Sequence, residues 1–405
     1  MNTHAHLFKR YIAQASEYPT FTVDVERAEG IYIWDTQGKK YIDFISSICV
    51  NNLGHRHPQI LDAIHKQMDQ YLHVMVYGEF IQGPQLALAQ KLAELLPEQL
   101  QKIFFLNSGS EAIEGAIKLA RLYNKRKEII GFAKSYHGST MGAMSVLGHD
   151  KIRDTFEPLL PCHKMLPYNS EADLNAITTQ TCCVIAEVIQ SGAGMVCAEQ
   201  NFLTQLRKRC TEVGALLIFD EIQTGFGRTA KLFAFEHYGV VPDILCIAKG
   251  MGGGMPISAF ISSVALMELL NNEHPLLGHA STFGGHPLSC VSSLKALELI
   301  NTPEILGQVE AKGQRIRNHL KTHPQILEVR GKGLFLAVVF KDPTHIEQIV
   351  ERCMANGFIT LWLLFNHEVL ALTPPLTITN QEIDMAMAIF KQSLDEAFRT
   401  YEKQK

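Results

Sequence analysis

The sequence predicts an α/β protein: a large, mainly parallel sheet with helices on both faces, accompanied by a smaller α+β part. Three observations carry this reading. From about residue 84 to 280, short apolar runs alternate with helical stripes. Two of those runs, Leu216–Asp220 and Ile244–Ala248, are continuous rather than alternating, as strands buried on both faces are. Beyond Pro287, helical segments cluster beside few strands.

In order, Ile31–Trp34 and Tyr41–Ile45 flank a turn at Asp35–Gly38 and predict a hairpin. Gly54-His55-Arg56-His57-Pro58 places two histidines two apart, but no third ligand set follows at a standard spacing. A turn leading into a helix from Gln59 to Tyr71, striped by Ile60, Ile64 and Met68, is the better reading. Helices are expected over Leu86–Leu96, Glu111–Arg126 and Phe202–Val213, and strands over Ile103–Leu106, Glu128–Phe132 and Cys183–Glu187. Ala259–Ser262 reads as a further short element. The C-terminal part should hold helices at Leu288–Ile300, Ile305–Leu320, Ile346–Met354 and Glu382–Tyr401 around a strand at Leu334–Phe340. No internal repeat or low-complexity linker interrupts the chain.

Bulk properties narrow the function classes. With 46% hydrophobic and 19% charged residues, the 405-residue chain has an ordinary globular composition and enough length for two domains. A formal charge of −4 gives no electrostatic case for nucleic acid or an acidic membrane. No apolar run approaches the roughly 18–20 residues that span a bilayer, and Met1–His6 lacks the features of a signal peptide. The nine cysteines form no CxxC pair and sit in apolar surroundings, as thiols of a reducing compartment do. A cytoplasmic protein is expected.

The chemistry-bearing residues gather at predicted strand ends. The run Leu216–Phe219 ends on Asp220 and Glu221, and the run Ile244–Ala248 ends on Lys249, followed by Gly250. Open α/β sheets place ligands at the carboxyl ends of their strands, so both groups are expected on one rim. An interior ammonium is costly, so Lys249 is either ion-paired or used chemically, where a desolvated amine condenses with a carbonyl. Asp220 either caps a turn or holds a protonated ring nitrogen, with an attraction of roughly 4 kcal/mol at about 4 Å and an effective dielectric near 20. Asn107-Ser108-Gly109-Ser110-Glu111 has capping-box spacing and equally offers helix-start N–H groups to a phosphate. It matches neither the dinucleotide nor the nucleoside-triphosphate fingerprint. Gly250–Gly254 lets backbone pass close to the lysine. Tyr136, in Tyr136-His137-Gly138, could stack on a flat ring or belong to the core.

Together these residues resemble the class III aminotransferases of the ornithine and acetylornithine type, pyridoxal 5′-phosphate enzymes of fold type I. The resemblance covers nearly the whole chain. Its most specific block is Phe219-Asp220-Glu221-Ile222-Gln223-Thr224-Gly225-Phe226-Gly227-Arg228-Thr229 with Lys249-Gly250 at the expected distance. Asn107–Ala112 and Ser281-Thr282-Phe283-Gly284-Gly285-His286-Pro287 match as well. By resemblance, Lys249 holds the cofactor covalently and moves protons, and Asp220 meets the pyridine nitrogen. Tyr136 and Ile222 take the two ring faces, and Gln223 lies near the ring hydroxyl. Ser108, Gly109 and Ser110 seat the phosphate, with His137 and Glu187 beside the cofactor. Thr282 reaches the phosphate of a neighbouring subunit, which implies a homodimer. The substrates implied are a small-molecule amino donor and an oxo acid, with no metal. The implied division is 1–55 and 291–405 for the small domain and 56–290 for the cofactor-binding domain.

The chain departs from its family at three places that grip carboxylates. Where many members have arginine after His-Gly, this chain has Ser139; where they have a second glutamate it has Gly192; and the arginine before the Pro-Pro motif is Ala371. Losing such bidentate grips costs on the order of several kcal/mol of oxo-acid binding. The expectation is therefore a more apolar pocket near Ile48, Val369 and Leu370; the sequence leaves open whether the loops around Ser139 and Ala371 recruit another cation, such as Arg153 or Lys134. An aminomutase or decarboxylase on the same fold, or a catalytically impaired cofactor-binding dimer, are the alternatives.

Overall fold

The computed structural model describes residues 3–13, 22–272 and 278–402; Met1 and Asn2 of the leader reading lie outside them. Near the N-terminus, Val25–Glu29 (β1), Tyr32–Asp35 (β2) and Lys40–Asp43 (β3) form the predicted hairpin with one further strand. Asp35 closes its own turn, accepting from the N–H groups of Gln37 and Lys39 and from the Tyr41 hydroxyl. Phe358–Ile359, far along the chain, adds parallel to β3. The Gly54–Pro58 stretch is a turn, in which His55 pairs with Asp43 at 2.9 Å. The helix that follows is Pro58–Met68 (α1), started by its proline.

The central sheet is built from Lys102–Leu106 (β4), Glu128–Phe132 (β5), His163–Leu166 (β6), Thr181–Glu187 (β7), Leu216–Asp220 (β8), Ile244–Ile247 (β9) and Ser258–Ser262 (β10). Its order is β4-β10-β9-β8-β7-β5-β6. Pairs from β9 to β6 are parallel, whereas β10 runs antiparallel to both β9 and β4. Burial on both faces is visible residue by residue. Leu217, Phe219, Leu245 and Ile247 pack into one core cluster, and Leu216, Ile218, Ile244 and Cys246 into the other. Each such side chain contributes about 1.5–3 kcal/mol when fully removed from water. Helix α2 (Gly109–Asn124) covers the second face with Ile113, Ala116, Ile117 and Ala120, and Gln200–Val213 (α3) covers the first with Phe202, Leu203 and Leu206.

The C-terminal part differs from the sequence reading. Besides Phe335–Phe340 (β11) there are Trp362–Leu363 (β12) and Asn366–Leu372 (β13), and with Ile326–Lys332 they make a four-stranded antiparallel sheet. These strands escaped notice because polar residues (Glu328, Arg330, Asn366, His367, Glu368) interrupt their apolar pattern. The helix expected over Ile305–Leu320 begins only at Val309, after a 3-10 turn at Leu306–Gln308. Among the described residues, no helix is long and apolar enough to cross a membrane and no group of ligands could hold a metal.

Candidate active site

Five segments meet at one rim because the parallel strands all end there. β4 runs into Asn107–Ser110, β5 into the Tyr136–Gly138 loop, β7 ends on Glu187, β8 on Asp220, and β9 is followed by Lys249. They border a cleft of about 970 Å³, roofed by Leu361–Leu364, Ala371 and the Ser47–Ile48 turn.

Asp220 lies in register with Glu187 on the neighbouring strand. Its Oδ1 accepts from the Ile222 N–H at 3.0 Å, and its Oδ2 accepts from His137 Nδ1 at 2.8 Å. His137 is buried; burial pulls its pKa down, but the hydrogen bond to Asp220 and the charges of Asp220 and Glu187 carry it above the ordinary value. The opposite ring nitrogen, Nε2, is buried with no partner among the described residues. Glu187 accepts from the N–H groups of Tyr136 and Ser191 at 2.9 and 3.0 Å. Burial, with Asp220 adding to it, pushes its pKa to about 7.

Lys249 does not close its strand. It opens a 3-10 turn, Lys249–Gly252, with φ of +50°. The turn fits because residue 250 is glycine: a Cβ there would lie 2.4 Å from Asn52 Nδ2. The Lys249 amine donates to Gln223 Oε1 at 3.3 Å, and Gln223 Nε2 reaches Cys49 Sγ at 3.8 Å. No carboxylate pairs with this amine among the described residues, and burial lowers its pKa. The geometry favours the chemically used amine over the ion-paired one.

Ser108 caps α2, accepting from the Glu111 N–H while Glu111 accepts from the Ser108 N–H. Beside the capping box, the N–H groups of Gly109 and Ser110 in the first turn take no partner among the described residues. Close packing holds this corner: a Cβ on Gly109 would sit 2.8 Å from Ile222 Cδ1. The cleft therefore joins an unpaired amine, a buried carboxylate held by a histidine, and a helix N-terminus ready for a phosphate. That donor set fits pyridoxal 5′-phosphate.

The remaining predicted residues divide. Tyr136 and Ile222 both line the cleft. Ser139 is exposed, and its hydroxyl lies 3.0 Å from the Tyr136 hydroxyl. Gly192 and Ala371 line the cleft, as does Ile48, but Val369 and Leu370 do not: both are buried in the core clusters behind it. Neither substitute cation is there. Arg153 is tied to the Leu147 carbonyl and Asp150, and Lys134 does not line the cleft. Thr282 is exposed, 3.2 Å from the Tyr77 hydroxyl, and stands apart from this cleft. Sequence reasoning missed Asn52 and gave Arg228, though quoted in the motif block, no structural role. Arg228 is fully buried, bonded to Asn52 Oδ1 and to the carbonyls of Pro374 and Leu334. It also missed the apolar roof, for which the run Leu361-Trp362-Leu363-Leu364-Phe365 was the available signal.

Comparison with known proteins places the chain among aminotransferases. The family model described as aminotransferase class-III matches residues 13–394. The chain is 39% identical over 402 residues to the acetylornithine aminotransferase of Caldanaerobacter subterraneus subsp. tengcongensis, covering 96% of this chain and 98% of the relative. Among solved structures, a transaminase from a marine Virgibacillus superposes with a TM-score of 0.91 at 26% identity, covering 98% of this chain and 99% of that one. The ornithine aminotransferase of Toxoplasma gondii ME49 does so with a TM-score of 0.89 at 27% identity, covering 99% and 96%.

Proposed function

The chain belongs to the class III aminotransferase family and is a pyridoxal-phosphate-dependent aminotransferase, and from that premise we propose that it transfers the amino group of an amine or amino acid with an apolar substituent, without an arginine clamp on a carboxylate. The observation that carries the proposal is the lining of the cleft. Among the described residues it holds no arginine, and its basic side chains are Lys249 and the histidines His137 and His367.

Bound pyridoxal phosphate supplies an aldehyde for the amine and a ring that, protonated, draws electrons from the carbon where a proton is lost. The Lys249 amine, lowered in pKa by burial, is the group to hold the aldehyde and then to carry a proton between two neighbouring carbons. Asp220 holds the proton on the ring nitrogen, and His137 orients Asp220 through the 2.8 Å hydrogen bond. Gln223, which accepts from the Lys249 amine at 3.3 Å, would lie near the ring hydroxyl. Gly109 and Ser110 seat the phosphate at the start of α2, with Ser108 serving as the cap. Tyr136 and Ile222 would take the ring faces, and Glu187 stands beside Asp220 as a second carboxyl whose pKa burial raises to about 7.

Thr282 reaches a partner subunit's phosphate in this reading, so the enzyme works as a homodimer. Its exposed position away from its own cleft supports this. The N-terminal strands that pair with Phe358–Ile359 support grouping residues 1–55 with 291–405 as a small domain around a cofactor-binding domain of 56–290. A cytoplasmic location follows the free-thiol reading: Cys49, Cys182, Cys183 and Cys246 are buried and unpaired with one another as disulfides.

The test is the visible absorbance of the bound cofactor. The purified enzyme should show it, candidate amines should shift it, and Lys249→Ala should lack the lysine-linked band. A low Michaelis constant for 2-oxoglutarate would refute the missing-clamp part, and a normal lysine-linked band in Lys249→Ala would refute the assignment of the lysine.

A further inference from the structure

The turn between β12 and β13 reaches across the cleft and lands on the far side. There the Phe365 N–H donates to the Gly192 carbonyl at 3.1 Å, and Asn366 Nδ2 donates to the Ala193 carbonyl at 3.1 Å. The Phe365 ring stacks on His149 with centroids 5.2 Å apart and lies 6.3 Å from the Tyr136 ring. It fills the space beside Gly192 so closely that a Cβ there would fall 2.8 Å from Phe365 Cδ2. A ring braced on two sides and tied down by its own backbone cannot give way as the tip of a flexible chain would.

On the cleft side the same turn presents Trp362, Leu363 and Leu364, and Ile48 joins them from the N-terminal turn. Leu364 and Ile48 are 52% and 53% exposed, large apolar surface left in water at the mouth of the cleft. Such surface gains free energy when an apolar group covers it.

We propose that this turn is the specificity wall of the cleft. Phe365 braces Tyr136 and occupies the room that any side chain at position 192 would need, while Leu364 and Trp362 offer an apolar face. The substrate class is an amine or amino acid whose alkyl or aryl group lies along that face. This rests on the aminotransferase reading above and narrows its substrate. Phe365 is a positioning residue, acting through Tyr136 and Gly192, whereas Leu364 and Trp362 touch the substrate.

Two measurements test it. In the first, the holoenzyme is mixed with straight-chain primary amines from propylamine to heptylamine, and the rate of loss of the visible cofactor band is followed with no acceptor present. The rate constant at low amine should rise about three- to fourfold per added methylene, and Leu364→Ser should flatten that rise. In the second, thermal midpoints are compared without substrate. Gly192→Ala should lower the midpoint, and Phe365→Ala in the same chain should recover most of the loss. A rate indifferent to chain length, the same slope in Leu364→Ser, or equal Gly192→Ala losses with and without Phe365 would overturn the wall while leaving aminotransfer intact. If neither amines nor amino acids alter the band of the wild-type enzyme, the aminotransfer reading itself fails and the wall falls with it.

Discussion

Glu187→Gln probes the electrostatics of the cleft floor with no cofactor present. Glu187 ends β7 in register with Asp220 at the end of β8, so two carboxyls share one buried corner. Burial foremost, and Asp220 next, raise the Glu187 pKa from 4.5 to about 7, against the pull of His137 and two backbone donors. A group with a raised folded-state pKa holds its proton more tightly in the native state. Its stabilisation is complete below pH 4.5 and is lost as the pH climbs through about 7. The rise from 4.5 to about 7, at about 1.4 kcal/mol per pH unit, corresponds to about 3 kcal/mol. His137 adds to the trend with the same sign, since its folded pKa is also raised. Glutamine mimics the protonated carboxyl and does not titrate, and it removes part of the charge that raises His137. The cofactor-free wild type should therefore lose more stability than Glu187→Gln between about pH 5 and about pH 7.5, by roughly 2 kcal/mol, the share of the full swing that falls in that window. Urea unfolding at fixed protein concentration measures the difference. Equal slopes for the two proteins would refute the placement of a proton on Glu187.

Three further outcomes follow from the same geometry. Asp220→Asn should bind cofactor yet slow the half-reaction by about a thousandfold, the rate equivalent of roughly 4 kcal/mol of attraction at the ring nitrogen; single-turnover absorbance measures it. Gly138→Ala puts a Cβ 2.1 Å from Ser110 Oγ at a φ of +130°, and should cost on the order of 1–3 kcal/mol of stability and speed cofactor loss, read by thermal midpoint and cofactor fluorescence. Arg228→Lys cannot reach Asn52 and two carbonyls at once and should cost roughly 1–3 kcal/mol for each buried acceptor left unpaired, measured by urea unfolding.

What could be read from the sequence was local. Asp220 and Lys249 stood out because each follows a continuous apolar run, and parallel pairing of β8 with β9 brings their strand ends to one rim. The capping box of α2 was legible from the spacing of Ser108 and Glu111. The antiparallel β10 was not, because its fully buried Ser-Ala-Phe-Ile-Ser pattern does not differ from that of a parallel strand. Nor were the pairings of distant segments. His137 meets Asp220 across 83 positions, and Asn366 meets Ala193 across 173. Nothing in either local pattern specifies such a partner; the sheet order does. The apolar pocket does not include Val369 and Leu370: alternation along β13 turns Leu370 to the face opposite Ala371, while Val369, on the same face as Ala371 and in the same core cluster, lies short of the cleft.

The mouth of the cleft is also where the backbone is most strained. Ser46, Ser47, Ile48 and Cys49 all have positive φ, between 48° and 62°. A left-handed turn without glycine costs roughly 1–2 kcal/mol per residue, so some other feature must hold it. Part of the compensation is visible: Ser46 Oγ donates to the Thr373 carbonyl at 2.6 Å, and the Thr373 N–H returns a bond to the Phe44 carbonyl at 2.7 Å. Just beyond, Asn52 accepts from the Leu376 N–H, bonds the Phe226 carbonyl and receives Arg228. The strained turn is thus stapled to the strand that carries Ala371 and to the loop that follows Asp220. What the strain achieves is placement. Ile48 is held at the mouth facing the cleft, and Cys49 is held beneath Gln223, whose amide oxygen meets Lys249. A relaxed right-handed turn would send those side chains elsewhere, so a residue lining the cleft mouth and the contact beneath Gln223 are set together by one four-residue segment.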